Sequence, residues 1–201
     1  MIARRALLAA AGLAAAAPAA AAPRRVVAVG GALTEAVYAL GAGESLVAVD
    51  TTSLYPRAAA ALPQIGYLRA LPPEGILSLA PDLLLLSGDA GPPQVVDVLR
   101  AGGLTLAVIP DGAGIAAVGQ KIAAVGAALG RAPRAADLAR SVAADWAALD
   151  AAAAAVATPL PVLFIIGLGR GVPLVAGRGT HADALVAAAG GRNVTQAFQG
   201  F

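Results

Sequence analysis

The stretch Val26–Asp50, VVAVGGALTEAVYALGAGESLVAVD, decides the fold. It opens on a short β-branched run, Arg25 to Val29, that ends at Gly30-Gly31, as a buried parallel strand does. Thr34 then precedes a helical stretch, Glu35 to Leu40, which stops at Gly41 or Gly43. Leu46 to Val49 forms a second strand, and the polar loop Asp50 to Pro56 follows. Further along, Glu74 to Leu79 reads as a short helix broken by Pro81, and Leu83 to Ser87 as a third strand. A helix from Pro92 or Pro93 through Arg100 ends at Gly102-Gly103, ahead of a fourth strand, Leu104 to Ile109. Strands alternating with helices at this spacing predict a parallel α/β sheet.

The pattern then changes. Ile115 to Leu129 and Arg134 to about Val156 are helical, with a break near Gly130 and Pro133. In the second helix Leu138, Val142, Trp146 and Leu149 share one apolar stripe, while Asp137, Arg140 and Asp145 mostly lie off it. Val162 to Ile166 predicts a new strand, Gly167 to Gly171 a glycine loop, and Thr180 opens a helix that ends at Gly190-Gly191. The expected architecture is two Rossmann-like α/β lobes with parallel sheets joined by a long helix. Its parts are a first lobe over residues 23–132, an inter-lobe helix over 133–157 and the start of a second lobe over 158–201. Only about forty residues follow the long helix, so a second lobe shorter than the first, as in a truncated chain, is expected.

Residues 1–22 have a different character. Arg4 and Arg5 form a charged start, Ala6 to Ala17 an apolar stretch, and Pro18 to Ala22 a small-residue segment with A-x-A sites. This predicts a secretory signal peptide cleaved between Ala20 and Ala22. The apolar run is too short to span a bilayer, which takes ~20 residues. The paired arginines permit twin-arginine export.

With no cysteine in the chain, an exported domain has no disulfides and depends on a packed core. About 180 residues remain after the leader, long enough to bury one. The formal net charge is +2, from 14 basic and 12 acidic residues. Without Arg4 and Arg5 the mature chain is neutral, lacking the basic excess of a nucleic-acid binder. No later stretch is long and apolar enough to be membrane-embedded. A monomer is expected.

One histidine, one methionine and no cysteine leave few ways to hold a metal. Tyr67 and Arg69 stand two residues apart in the Gly/Pro-bounded loop Ile65-Gly66-Tyr67-Leu68-Arg69-Ala70-Leu71-Pro72. Phenolate is a hard ligand suited to ferric iron, including haem iron. A cation beside a phenol lowers the cost of losing its proton, and an arginine there could instead pair with a carboxylate on the ligand. The plainer alternative is a tyrosine that packs its ring beside a solvated arginine. Tyr38 has the spacing of a helix residue. Tyr55, after a strand end, is a candidate lining residue for the same opening. His181 follows Thr180 at a helix start and is either a partly exposed residue or a metal-binding imidazole. Glu74 sits at a helix start, where a carboxylate complements the helix dipole, or else docks on a basic partner.

No catalytic constellation is present. Gly169-Arg170-Gly171 is followed by Pro173 and does not complete G-x-G-x-x-G. There is no P-loop, and Ser53, Ser78 and Ser87 lack a G-x-S-x-G setting. The chain is not expected to be an enzyme.

Four segments together resemble a known family: Val26 to Asp50, Leu62-Pro63-Gln64-Ile65-Gly66-Tyr67-Leu68-Arg69, Glu74 to Asp82, and Ala176-Gly177-Arg178-Gly179-Thr180 through Leu185. From Arg24 to the end the chain resembles the periplasmic haem-binding proteins of bacterial ABC importers. These are helical-backbone substrate-binding proteins, like the vitamin B12 and ferric-siderophore binders. The resemblance implies that ferric haem b is the transported ligand, with Tyr67 as its axial ligand and Arg69 assisting. It also implies that Glu74 meets the permease. Some members add a histidine after the strand matching Val162 to Ile166. Here Gly167-Leu168-Gly169-Arg170 has none, so five-coordinate tyrosine ligation is implied unless His181 reaches the same face. A second-lobe docking acid would lie beyond Phe201. The same fold carrying a corrinoid or ferric siderophore is the main competitor, and a nucleotide-dependent α/β enzyme the more distant one.

Overall fold

The computed structural model describes residues 22–169 and 171–201. The expected signal peptide lies almost wholly outside them. Four strands form one parallel sheet: β1 (Val26–Val29), β2 (Leu46–Val49), β3 (Leu83–Ser87) and β4 (Leu106–Ile109), in the order β2-β1-β3-β4. Every residue of β1 and β3 is buried, as in a parallel sheet covered on both faces.

Strand alternation sorts the core into two layers. Val26 and Ala28 of β1, with Leu83 and Leu85 of β3, face α1 (Gly31–Ala39). Val27, Val29, Leu84 and Leu86 face the opposite way. Between β2 and β3 run the short α2 (Arg57–Ala60) and α3 (Pro73–Ser78), and α4 (Pro93–Ala101) precedes β4. Ile76 of α3 and Leu99 of α4 complete the second layer, together with Ile65, Leu68 and Leu71 from the loop ahead of α3. Each fully buried Leu or Ile is worth about 2 kcal/mol of transfer free energy.

The helix after β1 begins earlier than its sequence suggests. Its first residue is Gly31, and Thr34 lies buried inside it with Oγ1 2.7 Å from Ser53 Oγ, rather than standing ahead of it. Gly30 carries the turn at φ 118°. A Cβ there would stand 3.0 Å from Ser87 Cβ, so glycine suits both the conformation and the space.

Two helices follow β4: α5 (Gly114–Ala128) and the 23-residue α6 (Ala132–Ala154). A Cβ on Gly126 would fall 2.2 Å from Ala135 Cβ, so that glycine permits the close approach of the two helices. Leu138 and Val142 of the α6 stripe pack against the first core layer. Trp146 is half-buried, and Leu149 is 42% exposed. The stripe is thus covered at its beginning and open toward its end. None of the described helices is long and apolar enough to cross a membrane.

The region after α6 departs from expectation. The apolar run Val162 to Ile166 is not one strand. It divides between β5 (Pro161–Val162) and β6 (Ile165–Gly169). Gly167 and Gly169 of the expected glycine loop instead belong to β6, whose antiparallel partner is β7 (Val172–Val175). Then come α7 (His181–Ala188) and β8 (Arg192–Asn193), and β8 pairs with β5 in parallel. The order of strand, glycine loop and helix seen from β1 to α1 therefore does not recur here, and of the described strands β5 and β8 pair in parallel while β6 and β7 pair antiparallel. Neither Gly167 nor Gly169 has a positive φ, and a glycine without one can sit in a hairpin strand.

Candidate functional site

The carboxyl ends of the four parallel strands converge on one edge, where open α/β sheets place their ligands. Three aspartates organise it. After β2, buried Asp50 accepts from the Gly30 backbone N–H (2.9 Å), the Thr52 N–H (3.1 Å) and hydroxyl (2.7 Å), and the Ser53 hydroxyl (2.8 Å). That set fixes the turn into α1 against the loop after β2. After β4, Asp111 accepts from Ser87 Oγ at 2.9 Å, Lys121 Nζ at 2.8 Å and the Asp89 backbone N–H at 3.3 Å. Partial burial pushes the Asp111 carboxyl upward. The hydrogen bonds from Lys121 and Ser87 and the Lys121 charge together outweigh it, leaving the group below its ordinary value. Asp89, in the loop after β3, is the third.

The Tyr67 loop is stitched to this edge by its backbone. Ile65 N–H donates to Val49 O, Thr51 N–H to Gly66 O, Gly91 N–H to Leu68 O and Leu71 N–H to Gly91 O, over 2.8–3.1 Å. Ile65, Leu68 and Leu71 are its buried anchors, three residues apart. The intervening Tyr67 and Arg69 face solvent, Tyr67 at 44% exposure. Arg69 Nη1 donates to Tyr67 Oη at 3.2 Å, and Nη2 forms a salt bridge with Asp89. The hydrogen bond to Asp89 and its charge, followed by the neighbouring phenol, hold the guanidinium further above its already high value. The carboxylate that Arg69 meets is thus one of the protein's own. Glu74 stands exposed in the first turn of α3.

Tyr55 and His181 belong together elsewhere. Both line a cavity of about 650 Å³, along with Glu35, Lys121, Trp146 and Leu185. His181 also borders a more apolar cavity of about 800 Å³ with Phe164, Ile166 and Phe201. Tyr67 and Arg69 line neither cavity. The five candidate residues therefore fall into a Tyr67–Arg69 pair, a Tyr55–His181 pair and Glu74 on its own helix. Among the described residues no group of three or more His, Cys, Asp or Glu side chains could hold a metal ion. The Tyr67 phenol is a hard oxygen donor with a cation, Arg69, beside it.

Asp50, Asp89, Asp111 and Lys121 were not singled out from the sequence. Their signal is local: three aspartates one or two residues past a strand end, at Val49-Asp50, Ser87-Gly88-Asp89 and Ile109-Pro110-Asp111.

Comparison with known proteins adds to this geometry. The periplasmic binding protein family profile matches residues 26–200. The periplasmic heme-binding protein RhuT from Roseiflexus sp. RS-1, in apo form, is similar at 43% identity and TM-score 0.81, over 85% of this chain and 65% of that one. The periplasmic heme-binding protein BhuT, in complex with two hemes, is 41% identical with TM-score 0.81, over 88% and 69%. A vitamin B12-binding protein of Yersinia pestis (strain Pestoides F) is 38% identical over 82 residues, 41% of this chain and 29% of its own length. The chain thus spans about two thirds of the solved proteins and under a third of the curated relative.

Proposed function

The chain belongs to the periplasmic binding protein family, and on that premise we propose that it captures haem and delivers it to the permease of an ABC importer. The observation that carries this reading is the exposed Tyr67 hydroxyl accepting from Arg69, in a chain 43% identical to a heme-binding protein. The cargo is ferric haem b, and the Tyr67 oxygen is its axial ligand. Arg69 donates to that oxygen and stabilises the negative charge that an iron-bound phenolate carries. Residues 167–170 hold no histidine, which favours tyrosine as the sole protein ligand over a second ligand from His181. Tyr55 and His181 line the 650 Å³ cavity, which Tyr67 and Arg69 do not, so no contact with the iron is assigned to them.

Residues 1–22 are a leader removed on export to the periplasm, residues 23–132 the first lobe, 133–157 the connecting helix and 158–201 the beginning of the second. Sequencing the N-terminus of the exported protein checks the cleavage. Glu74, exposed on α3, docks on the permease. In a strain importing haem through this protein, Glu74→Ala should lower uptake while hemin binding by the purified protein is kept. Normal uptake counts against the docking role.

Adding hemin to purified protein tests the main reading. The wild type should give a high-spin ferric spectrum with a tyrosinate charge-transfer band. Tyr67→Phe keeps the ring, loses the oxygen and should lose the band and most of the affinity. The same spectrum and affinity in that variant would reject the ligand. The similarity to a vitamin B12-binding protein supports a second reading, a corrinoid cargo. Cyanocobalamin bound in preference to hemin would establish that one instead.

A further inference from the structure

Arg69 has its own counter-ion, and that arrangement carries an inference resting on the haem reading above. The guanidinium spans two partners: Nη1 donates to Tyr67 Oη at 3.2 Å, and Nη2 meets the Asp89 carboxylate. A long, exposed arginine side chain has many rotamers, and a single hydrogen bond to a neutral phenol does little to select one. A charged hydrogen bond from a carboxylate to one end of the fork, with the phenol at the other, fixes the guanidinium at two points. We propose that Asp89 is the positioning residue of the haem site, holding Arg69 so that its free edge faces the Tyr67 oxygen.

Asp89 is placed for this by two independent ties. The Gly91 N–H to Leu68 O bond (2.8 Å) and the Leu71 N–H to Gly91 O bond (3.1 Å) lock the Asp89 loop to the Tyr67 loop. The Asp89 backbone N–H donates to Asp111, itself held by Ser87 and Lys121. The acid therefore keeps its register with Arg69 through the backbone, without depending on the salt bridge. That salt bridge is exposed on both sides, at 60% and 40% of side-chain area, and exposed pairs contribute little to fold stability. Its worth lies in geometry at the phenol.

The variants Asp89→Ala and Asp89→Asn separate positioning from a structural role. Asparagine keeps an oxygen facing Arg69, whereas alanine removes it. Both should melt at the wild-type temperature. In the cargo-free protein, side-chain ¹⁵N NMR should show hindered rotation about the Arg69 Nε–Cζ bond in wild type and Asn, and free rotation in Ala. With hemin, Ala should dissociate about tenfold faster, the low end for outer partners of a metal ligand. It should also shift the tyrosinate charge-transfer band, and Asn should restore most of both. Unchanged Arg69 rotation in Ala, or unchanged hemin dissociation and band position, overturns the proposal, as does equal damage in Asn and Ala. If the wild type takes up no hemin, it is the cargo reading that falls. If wild type and Ala bind hemin identically, only the role of Asp89 falls.

Discussion

Asp50 has no exposed surface and four donors around its carboxylate. Replacing it with alanine strands the Gly30 N–H beneath the start of α1 and leaves the Ser53 hydroxyl with only Thr34. Each buried group left unpaired costs about 1–3 kcal/mol, so Asp50→Ala should destabilise the fold by about 3 kcal/mol. Urea unfolding followed by circular dichroism measures it, and a loss under about 1 kcal/mol would mean that water replaces the carboxylate at little cost. The loop that exposes Tyr67 and Arg69 is legible in the sequence because Gly66, Pro72 and the spaced Ile65, Leu68 and Leu71 are their chain neighbours. Asp89 was not, since it meets Arg69 from 20 residues away. Such a partner becomes visible only once β1 has placed β2 and β3 on either side of itself.

Among the elements, Asp111 joins the end of β3, the loop after β4 and the side chain of Lys121 on α5. Its carboxyl lies below its ordinary value in the folded protein, burial being outweighed by Lys121 and Ser87. A depressed folded value means stability that is fully present above the unfolded value of about 4 and is lost as pH falls through the lower, folded one. Asp111→Asn should therefore be less stable than wild type at pH 6, and the gap should narrow by pH 3. Urea midpoints at the two pH values test the sign, and a gap that widens in acid would contradict it. The strands of the first sheet are legible as elements because each apolar run lies between glycine, proline or charged residues at a length suited to one buried strand. Val162 to Ile166 has the same appearance but divides at Leu163-Phe164, with β5 pairing to β8 and β6 to β7. Composition alone does not say which neighbour a strand will take, and there the local reading failed.

Across the whole molecule the described residues before and after α6 are packed very differently. Both faces of the four-stranded sheet are covered, and the largest fully buried side chains, including Leu33, Leu84, Leu85, Leu86 and Leu99, all precede α6. After α6 the buried apolar residues are Ala176, Ala182 and Ala188, while Leu160, Leu168 and Val172 are 72%, 74% and 68% exposed. Cohesion in this part comes from polar ties: Asp183 accepts from the Gly179 N–H, Asn193 Nδ2 and Gln196 Nε2, and Thr180 caps α7 through the Asp183 N–H. Hydrogen bonds exchanged with water add about 1 kcal/mol each, less than a buried leucine. Local opening follows the density of buried apolar contacts, so the 201-residue chain should exchange its amides in two groups. β1 and β3 should be protected to the limit of global unfolding. β6, β7 and α7 should exchange through opening of their own, at rates that fall when a ligand bridges them to the first sheet. Hydrogen exchange read by mass spectrometry on peptides from 26–49, 83–109 and 161–188 distinguishes the groups. Equal protection in all three would mean that the second region shares the cooperativity of the first, and that its exposed leucines and valines give a false picture of its stability.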